Sequence, residues 1–203
     1  TITAGGPTTF CAGGSVTLTS STENSYLWST GETSASINVT TAGSYTVQVT
    51  NAAGCQSTVS TSTAITVNPA PAAPAITASG PTTFCAGGSV ALTSSTGNSY
   101  LWSTGETSAS INVTTSGSYT VQITDANGCQ STASTPTVVT VNALPSVPTI
   151  TPGGSTSICA GGSVTLTSST GTSYLWSTGE TSASINVSTA GSYTVQITNP
   201  AGC

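Results

Sequence analysis

Basic residues are missing altogether: the 203-residue chain has no lysine, arginine or histidine, and its only carboxylates are Glu23, Glu32, Glu106, Asp125 and Glu180. Nothing is available to neutralise a phosphate backbone, which excludes nucleic acid as a partner. Imidazole ligands, amine nucleophiles and basic membrane patches are excluded with it. No run approaches the roughly 18 apolar residues of a membrane span, so membrane insertion is not expected. No basic-then-apolar leader is visible either, and the chain reads as a mature interior piece. The surface left by these absences is one of serine, threonine, asparagine and glutamine.

What is present is repetition. SYLWSTGETSASINV occurs letter for letter at Ser25–Val39, Ser99–Val113 and Ser173–Val187. Cys11, Cys85 and Cys159 follow one another at intervals of 74 positions, as do Cys55, Cys129 and Cys203. This spacing divides the chain into repeat 1 (1–68), a Pro-rich linker (69–74), repeat 2 (75–142), a Pro-containing linker (143–148) and repeat 3 (149–203). The third repeat stops before the last strand of the other two, as in a fragment of a longer array. Six cysteines at fixed positions, with no CxxC pair and no histidine, read as disulfides in an oxidising compartment and not as a zinc site. A secreted, extracellular or cell-surface location follows.

Within a repeat the apolar residues alternate. Thr1–Phe10 suits an edge strand that changes partner at Gly5-Gly6-Pro7, and Cys11–Gly14 is a turn. In Ser15–Ser20, Val16 and Leu18 face one way and the threonines the other. Tyr26 and Trp28 point to one side, Thr30–Thr33 turns the chain, and Ala35, Ile37 and Val39 point inward. Ser44–Thr50 is expected as one strand burying Tyr45, Val47 and Val49. Asn199-Pro200-Ala201-Gly202, like Asn51–Gly54 and Asp125–Gly128, has the residue order of a type I turn closed by a glycine bulge. Gln56–Asn68 is then a last strand bringing Ile65 and Val67 to the core. No stretch has helical periodicity. The expected fold is all-β: tandem small antiparallel sandwiches of about six or seven strands each.

These residues resemble a known family. Gly14–Leu18, Trp28 and Ala42–Val47 are similar to strands B, C and F of immunoglobulin-like domains, with Tyr45 in the position of the tyrosine corner. Tyr26–Gly31 resembles the Trp-containing turn of PKD domains. The tandem array most resembles the Ig-like or PKD-like repeats of large Bacteroidetes surface proteins, gliding adhesins included, which implies export by type IX secretion. Where an antibody-type domain has its two core cysteines, this chain has Ser20 and Val47. Taking strand directions from the resemblance, Cys11 and Cys55 lie at opposite ends of one repeat, about 20 Å apart for a six-residue strand. That implies bridges between neighbouring repeats, Cys11 with Cys129 and Cys85 with Cys203, leaving Cys55 and Cys159 for adjoining repeats or chains. The simpler alternative, Cys11 with Cys55, Cys85 with Cys129 and Cys159 with Cys203, keeps each unit self-sufficient.

Candidate chemistry is sparse. Glu32, Glu106 and Glu180 recur in the hairpin turn, but one carboxylate per repeat supplies neither an acid–base pair nor a calcium cage. The serines have no imidazole or amine to activate them. Trp28, Trp102 and Trp176 are expected in the core and not as sugar platforms. Leu27, Leu101 and Leu175 fall on the outer face and, with the three glutamates, form the candidate contact surface. Asn38, Asn112 and Asn186 begin N-glycosylation sequons of a kind common in Ser/Thr-rich chains. No enzyme activity, catalytic residue, metal or cofactor is expected. The expected function is a structural stalk or filament segment of a surface adhesin. Its partners would be adjacent repeats of the same chain and identical chains in a filament. The alternative is an adhesive module that contacts glycans or surfaces through outward threonines such as Thr17, Thr19, Thr46 and Thr50.

Overall fold

Glycine and proline set where the first strands break. The computed structural model describes residues Thr1–Cys203. Strand β1 (Ile2–Ala4) pairs antiparallel with β3 (Val16–Ser20), whereas β2 (Thr9–Cys11), beyond Gly5-Gly6-Pro7, runs parallel to β8 (Thr63–Asn68). Pro7 has no amide hydrogen for a ladder, so the partner changes there. The remaining strands of the first repeat are β4 (Ser25–Trp28), β5 (Ser36–Val39), β6 (Gly43–Tyr45) and β7 (Val47–Thr50). Three sheets result, ordered β1-β3-β5, β2-β8-β6 and β4-β7.

The second repeat uses the same order. Its strands are β9 (Ile76–Ala78), β10 (Thr83–Cys85), β11 (Val90–Ser94), β12 (Ser99–Trp102), β13 (Ser110–Val113), β14 (Gly117–Tyr119), β15 (Val121–Thr124) and β16 (Thr137–Asn142). They form sheets β9-β11-β13, β10-β16-β14 and β12-β15. In the third, β17 (Ile150–Pro152), β18 (Val164–Ser168) and β20 (Ser184–Val187) form one sheet, and β19 (Ser173–Trp176) and β21 (Val195–Thr198) another. The chain is all-β without helices, in small, mainly antiparallel sheets.

Two expected strands are each broken. Ser44–Thr50 splits at Thr46, because Tyr45 pairs with Thr63 in one sheet while Val47 pairs with Trp28 in another. Thr46 sits between them, its carbonyl accepting from the Ser29 amide at 2.9 Å and its amide donating to Ser29 Oγ at 3.2 Å. Burial of Tyr45 and Val47 continues through the break, so the alternation gives no sign of it. Gln56–Asn68 pairs as a strand only from Thr63. Before that, Ser57 and Ser60 donate their amides to the Val49 and Val47 carbonyls, both at 2.9 Å. Their hydroxyls accept the two valine amides, both at 3.1 Å. The step from Ser57 to Ser60 is three residues and not the two of a regular strand. The first two repeats therefore hold eight strands each, not six or seven. Ala35 is also exposed where an inward position was expected, since β5 begins one residue later. Val49 and Val67 are only half-buried.

By compactness the residues fall into two units. The first comprises Thr1–Thr77, Thr93–Ile111 and Tyr119–Pro136. Its core in the first repeat draws Val16, Leu18, Ile37 and Val39 from the β1-β3-β5 sheet, Trp28 and Val47 from β4-β7, and Tyr45 and Ile65 from β2-β8-β6. The Trp28 indole N–H donates to the Ser34 carbonyl at 2.8 Å, which satisfies the one polar atom of a buried ring. The Tyr45 hydroxyl donates to the Thr41 carbonyl at 2.9 Å and lies 2.8 Å from the Thr41 hydroxyl. This is the local geometry of a tyrosine corner. The second unit comprises Ala78–Leu92, Asn112–Ser118 and Thr137–Cys203, with Val164, Leu166, Trp176, Ile185, Val187 and Val195 at its core in the third repeat.

Ser20 is buried and its hydroxyl has no partner. Ser131 is equally buried, but its hydroxyl accepts from the Ile123 amide at 3.0 Å and donates to the Thr132 carbonyl at 2.8 Å. An unsatisfied buried hydroxyl costs stability, whereas a satisfied one on a sheet edge holds the edge. Ser20→Ala is expected to raise unfolding stability by up to about 1 kcal/mol, and Ser131→Ala to lower it by about 1 to 2 kcal/mol, in urea melts of the oxidised protein.

Candidate functional site: the bridged repeat junctions

Parallel pairing of β2 and β8 brings Cys11 opposite Asn68, at the end of both strands. The Asn68 carbonyl accepts the Ala12 amide at 2.8 Å. Cys129 reaches the same place from the second repeat. It closes the turn Asp125–Gly128, in which the Gly128 amide donates to the Asp125 carbonyl at 3.2 Å and the Asp125 amide to the Cys129 carbonyl at 3.0 Å. Asp125 Oδ1 accepts from the amides of Asn127 at 2.9 Å and Cys129 at 2.8 Å. Gly128 has φ of 80°, a conformation open to glycine at no cost, and this is why the fourth turn position is glycine in every repeat.

Cys11 is bonded to Cys129, with Cα atoms 5.5 Å apart. Cys129 is fully buried, its sulfur 4.0 Å from the Asn68 carbonyl oxygen. In the second unit Cys85 is bonded to Cys203, with Cα atoms 5.6 Å apart. There the turn residue is Asn199, whose Oδ1 accepts from the Ala201 and Cys203 amides, each at 3.0 Å. Its Nδ2 donates to the Ala143 carbonyl in the preceding linker at 2.7 Å. Asp125, in the corresponding position, has no amide with which to make that bond. Both disulfides join one repeat to the next, and none is closed within a repeat. Cys55 and Cys159 are exposed free thiols.

Closing a loop of 118 residues removes about 5 kcal/mol of conformational freedom from the unfolded chain on the loop-entropy account. The two loops overlap in sequence, since Cys85 lies inside the first and Cys129 inside the second. Sequence reasoning passes over Asn68 and Asn142, whose carbonyls take the Ala12 and Ala86 amides at 2.8 Å. The available signal was the Val-Asn pair before each proline-containing linker.

The other candidate residues are not gathered at one place. Leu27, Leu101 and Leu175 are 50%, 44% and 49% exposed, opposite Gln48, Gln122 and Gln196 in their strand pairs. Glu32, Glu106 and Glu180 lie in exposed turns. Their carbonyls accept the amides of Trp28, Trp102 and Trp176 at 2.9 Å. Their carboxylates accept the hydroxyls of Thr30, Thr104 and Thr178. These bonds close the turn beside each tryptophan, which is not the expected hairpin: β4 pairs with β7 and β5 with β3, so the turn carries the chain from one sheet to the other. The three tryptophans are buried, which leaves no indole face for a sugar. Thr17 and Thr19 are exposed, but Thr46 and Thr50 are half-covered, so the outward threonines do not make one open row. No group of three His, Cys, Asp or Glu side chains converges. No helix is long and apolar enough to cross a membrane.

No family model and no curated protein matches this chain. Among solved structures, the ligand-binding domain of human OSCAR is similar over 68% of this chain and 96% of its own length, with 16% identity and a TM-score of 0.31. At that distance it carries no argument for what this chain binds. The two disulfides fit an extracellular protein.

Without lysine or arginine the chain offers trypsin nothing, so chymotryptic peptides are the way to read its bridges. Non-reducing digestion is expected to yield peptides joining Cys11 to Cys129 and Cys85 to Cys203, with iodoacetamide taken up by the native protein at Cys55 and Cys159 alone. A peptide joining Cys11 to Cys55 would contradict this connectivity.

Proposed function

We propose that the chain is a load-bearing structural segment, a stalk or filament piece of a secreted bacterial surface adhesin, built from tandem Ig-like sandwiches and without enzymatic activity. The reading rests on one observation, that every disulfide joins neighbouring repeats. An isolated binding domain gains its stability from bridges within itself. An array under tension gains from bridges between its members, because a pull on one repeat then passes to the next through covalent bonds.

The connectivity sets a limit on stretching. With both bridges intact, the shortest covalent route from Thr1 to Cys203 runs to Cys11, crosses to Cys129, returns along the backbone to Cys85 and crosses again. Most of repeat 1 and nearly all of repeat 3 lie off that route, and the part of repeat 2 between Cys85 and Cys129 lies on it. At about 3.4 Å per extended residue the route is about 200 Å long, against about 700 Å for the reduced chain. Repeat 1 or repeat 3 can lose its fold under load and the array still gains little length. Disulfides suit this task in a chain with no lysine to form Lys–Asn isopeptide bonds.

Near-identical repeats serve the same use, since one solved packing problem is copied and one surface is displayed at intervals. Leu27, Leu101 and Leu175 are the exposed apolar positions such a display would offer to identical chains or to surface glycans. The resemblance of the repeats to Bacteroidetes surface adhesins supports export by type IX secretion. Force spectroscopy on the oxidised chain, held at its two ends, tests the mechanical reading. Extension is expected to end near about 200 Å and to reach about 700 Å after reduction. Equal contour lengths before and after reduction would overturn it.

A further inference from the structure

Where β4 stops, the first repeat leaves an opening in its side. Trp28, the last residue of β4, lies opposite Val47, and the chain then crosses through Thr30–Thr33 to β5 in the other sheet. No strand flanks β6 on the side away from β8, and β5 is likewise the last strand of its sheet. At these two edges lies a cavity of about 350 Å³, lined by Glu32 from the crossing turn, Asn38 and Val39 from β5, Thr40 and Thr41 just beyond it, and Tyr45 from β6. That volume is in the range of small-molecule sites and admits one sugar ring. The opening is a consequence of the crossing and lies inside one repeat.

Its polar groups are exposed and only partly used. The Trp28 amide is taken by the main-chain carbonyl of Glu32, which any residue would supply. The Glu32 carboxylate accepts the Thr30 hydroxyl at Oε2, while Oε1 has no partner in the chain. The Asn38 carboxamide and the Thr40 hydroxyl have none either. Asparagine is poorly suited to a strand, so the fold alone gives no reason for it on β5. Thr41, by contrast, is held by Tyr45, their hydroxyl oxygens 2.8 Å apart. The opening therefore presents a carboxylate oxygen that accepts, a carboxamide that both donates and accepts, and a hydroxyl that does either.

We infer that this opening is a binding site for a neutral saccharide, which it takes by a pair of adjacent hydroxyls. One hydroxyl would donate to Glu32 Oε1 and its neighbour accept from Asn38 Nδ2, with the ring carbons against Val39. The mixture of donors and acceptors decides the class of ligand. An anion would meet the Glu32 charge with no lysine, arginine or histidine to offset it. Calcium asks for about six to eight oxygens, usually with more than one carboxylate, and the opening has one. An ammonium group would leave the carboxamide N–H groups unused. Adjacent sugar hydroxyls, each a donor and an acceptor, use all of these groups. The second and third repeats carry the corresponding Glu106, Asn112 and Thr114, and Glu180, Asn186 and Ser188, with the same threonine-to-glutamate bond in each turn. The inference is independent of the load-bearing reading, because no disulfide cysteine lines the opening.

The test is saturation-transfer NMR of the oxidised chain with D-glucose, D-galactose and D-mannose, each titrated to about 100 mM. At least one sugar is expected to give a saturable signal with a dissociation constant in the millimolar range. The triple variant Glu32→Gln/Glu106→Gln/Glu180→Gln keeps the carbonyls that hold the tryptophan amides and is expected to weaken that sugar by about tenfold. Asn38→Ala/Asn112→Ala/Asn186→Ala is expected to weaken it similarly, and urea melts identify which variants are folded. No saturable signal from any of the three sugars, or a signal unchanged in either folded variant, overturns the inference. Calcium or tetramethylammonium binding that the glutamine variant abolishes, with no sugar bound, would make the opening a cation site and overturn it as well.

Discussion

The rest of the structure depends on a covalent bond placed where two strands end. Cys11 closes β2 beside Asn68, the last residue of β8, and the cysteine that meets it comes from the turn Asp125–Gly128 of the following repeat. That placement requires three things of the sequence. The Gly5-Gly6-Pro7 break frees β2 from the β1 ladder so that it can run parallel to β8. The αL glycine at Gly128 closes the turn, and the turn residue Asp125 fixes the Cys129 amide with its own side chain. Remove any one and the sulfur atoms are no longer held opposite each other.

Each repeat is small for the core it must hold. The first has eight buried apolar side chains, and its serine-rich segment satisfies the β7 edge through hydroxyls instead of a regular ladder. Packing of this size leaves a narrow margin over the conformational entropy of the chain. A bridge to a neighbour supplies what the core lacks, by restricting the unfolded chain and by joining the fate of one repeat to the next. The same economy explains the identity of the three SYLWSTGETSASINV stretches. Each contributes the buried tryptophan in one sheet, the turn beside it and the strand that crosses to the other sheet, so the stretch ties the two sheets of its repeat together.

Much of this was legible in the sequence, and the reasons are local. Val16, Leu18, Ile37 and Tyr45 alternate with polar residues at the period of a strand, and they are buried. The turn at Asn199–Gly202 follows residue preferences that act over four positions, and the partner change at Pro7 follows from a missing amide. The two broken strands were not legible, because the crossing at Thr46 preserves alternation and because Ser57 and Ser60 bond at a three-residue step. Which cysteines meet is a non-local fact. Spacing alone allowed bridges within or between repeats, and strand direction had to be taken from a resemblance. The Asn199 bond to Ala143 was likewise out of reach, joining residues 56 positions apart through a side chain that the second repeat replaces with Asp125.

Bridges between repeats add to each small core a constraint that the core alone does not supply. Differential scanning calorimetry of the oxidised chain beside its Cys11→Ser/Cys129→Ser double variant measures this most directly. The variant is expected to gain a separate transition for the first repeat, well below the main one, from the loss of about 5 kcal/mol. Coincident melts of the two proteins would contradict it.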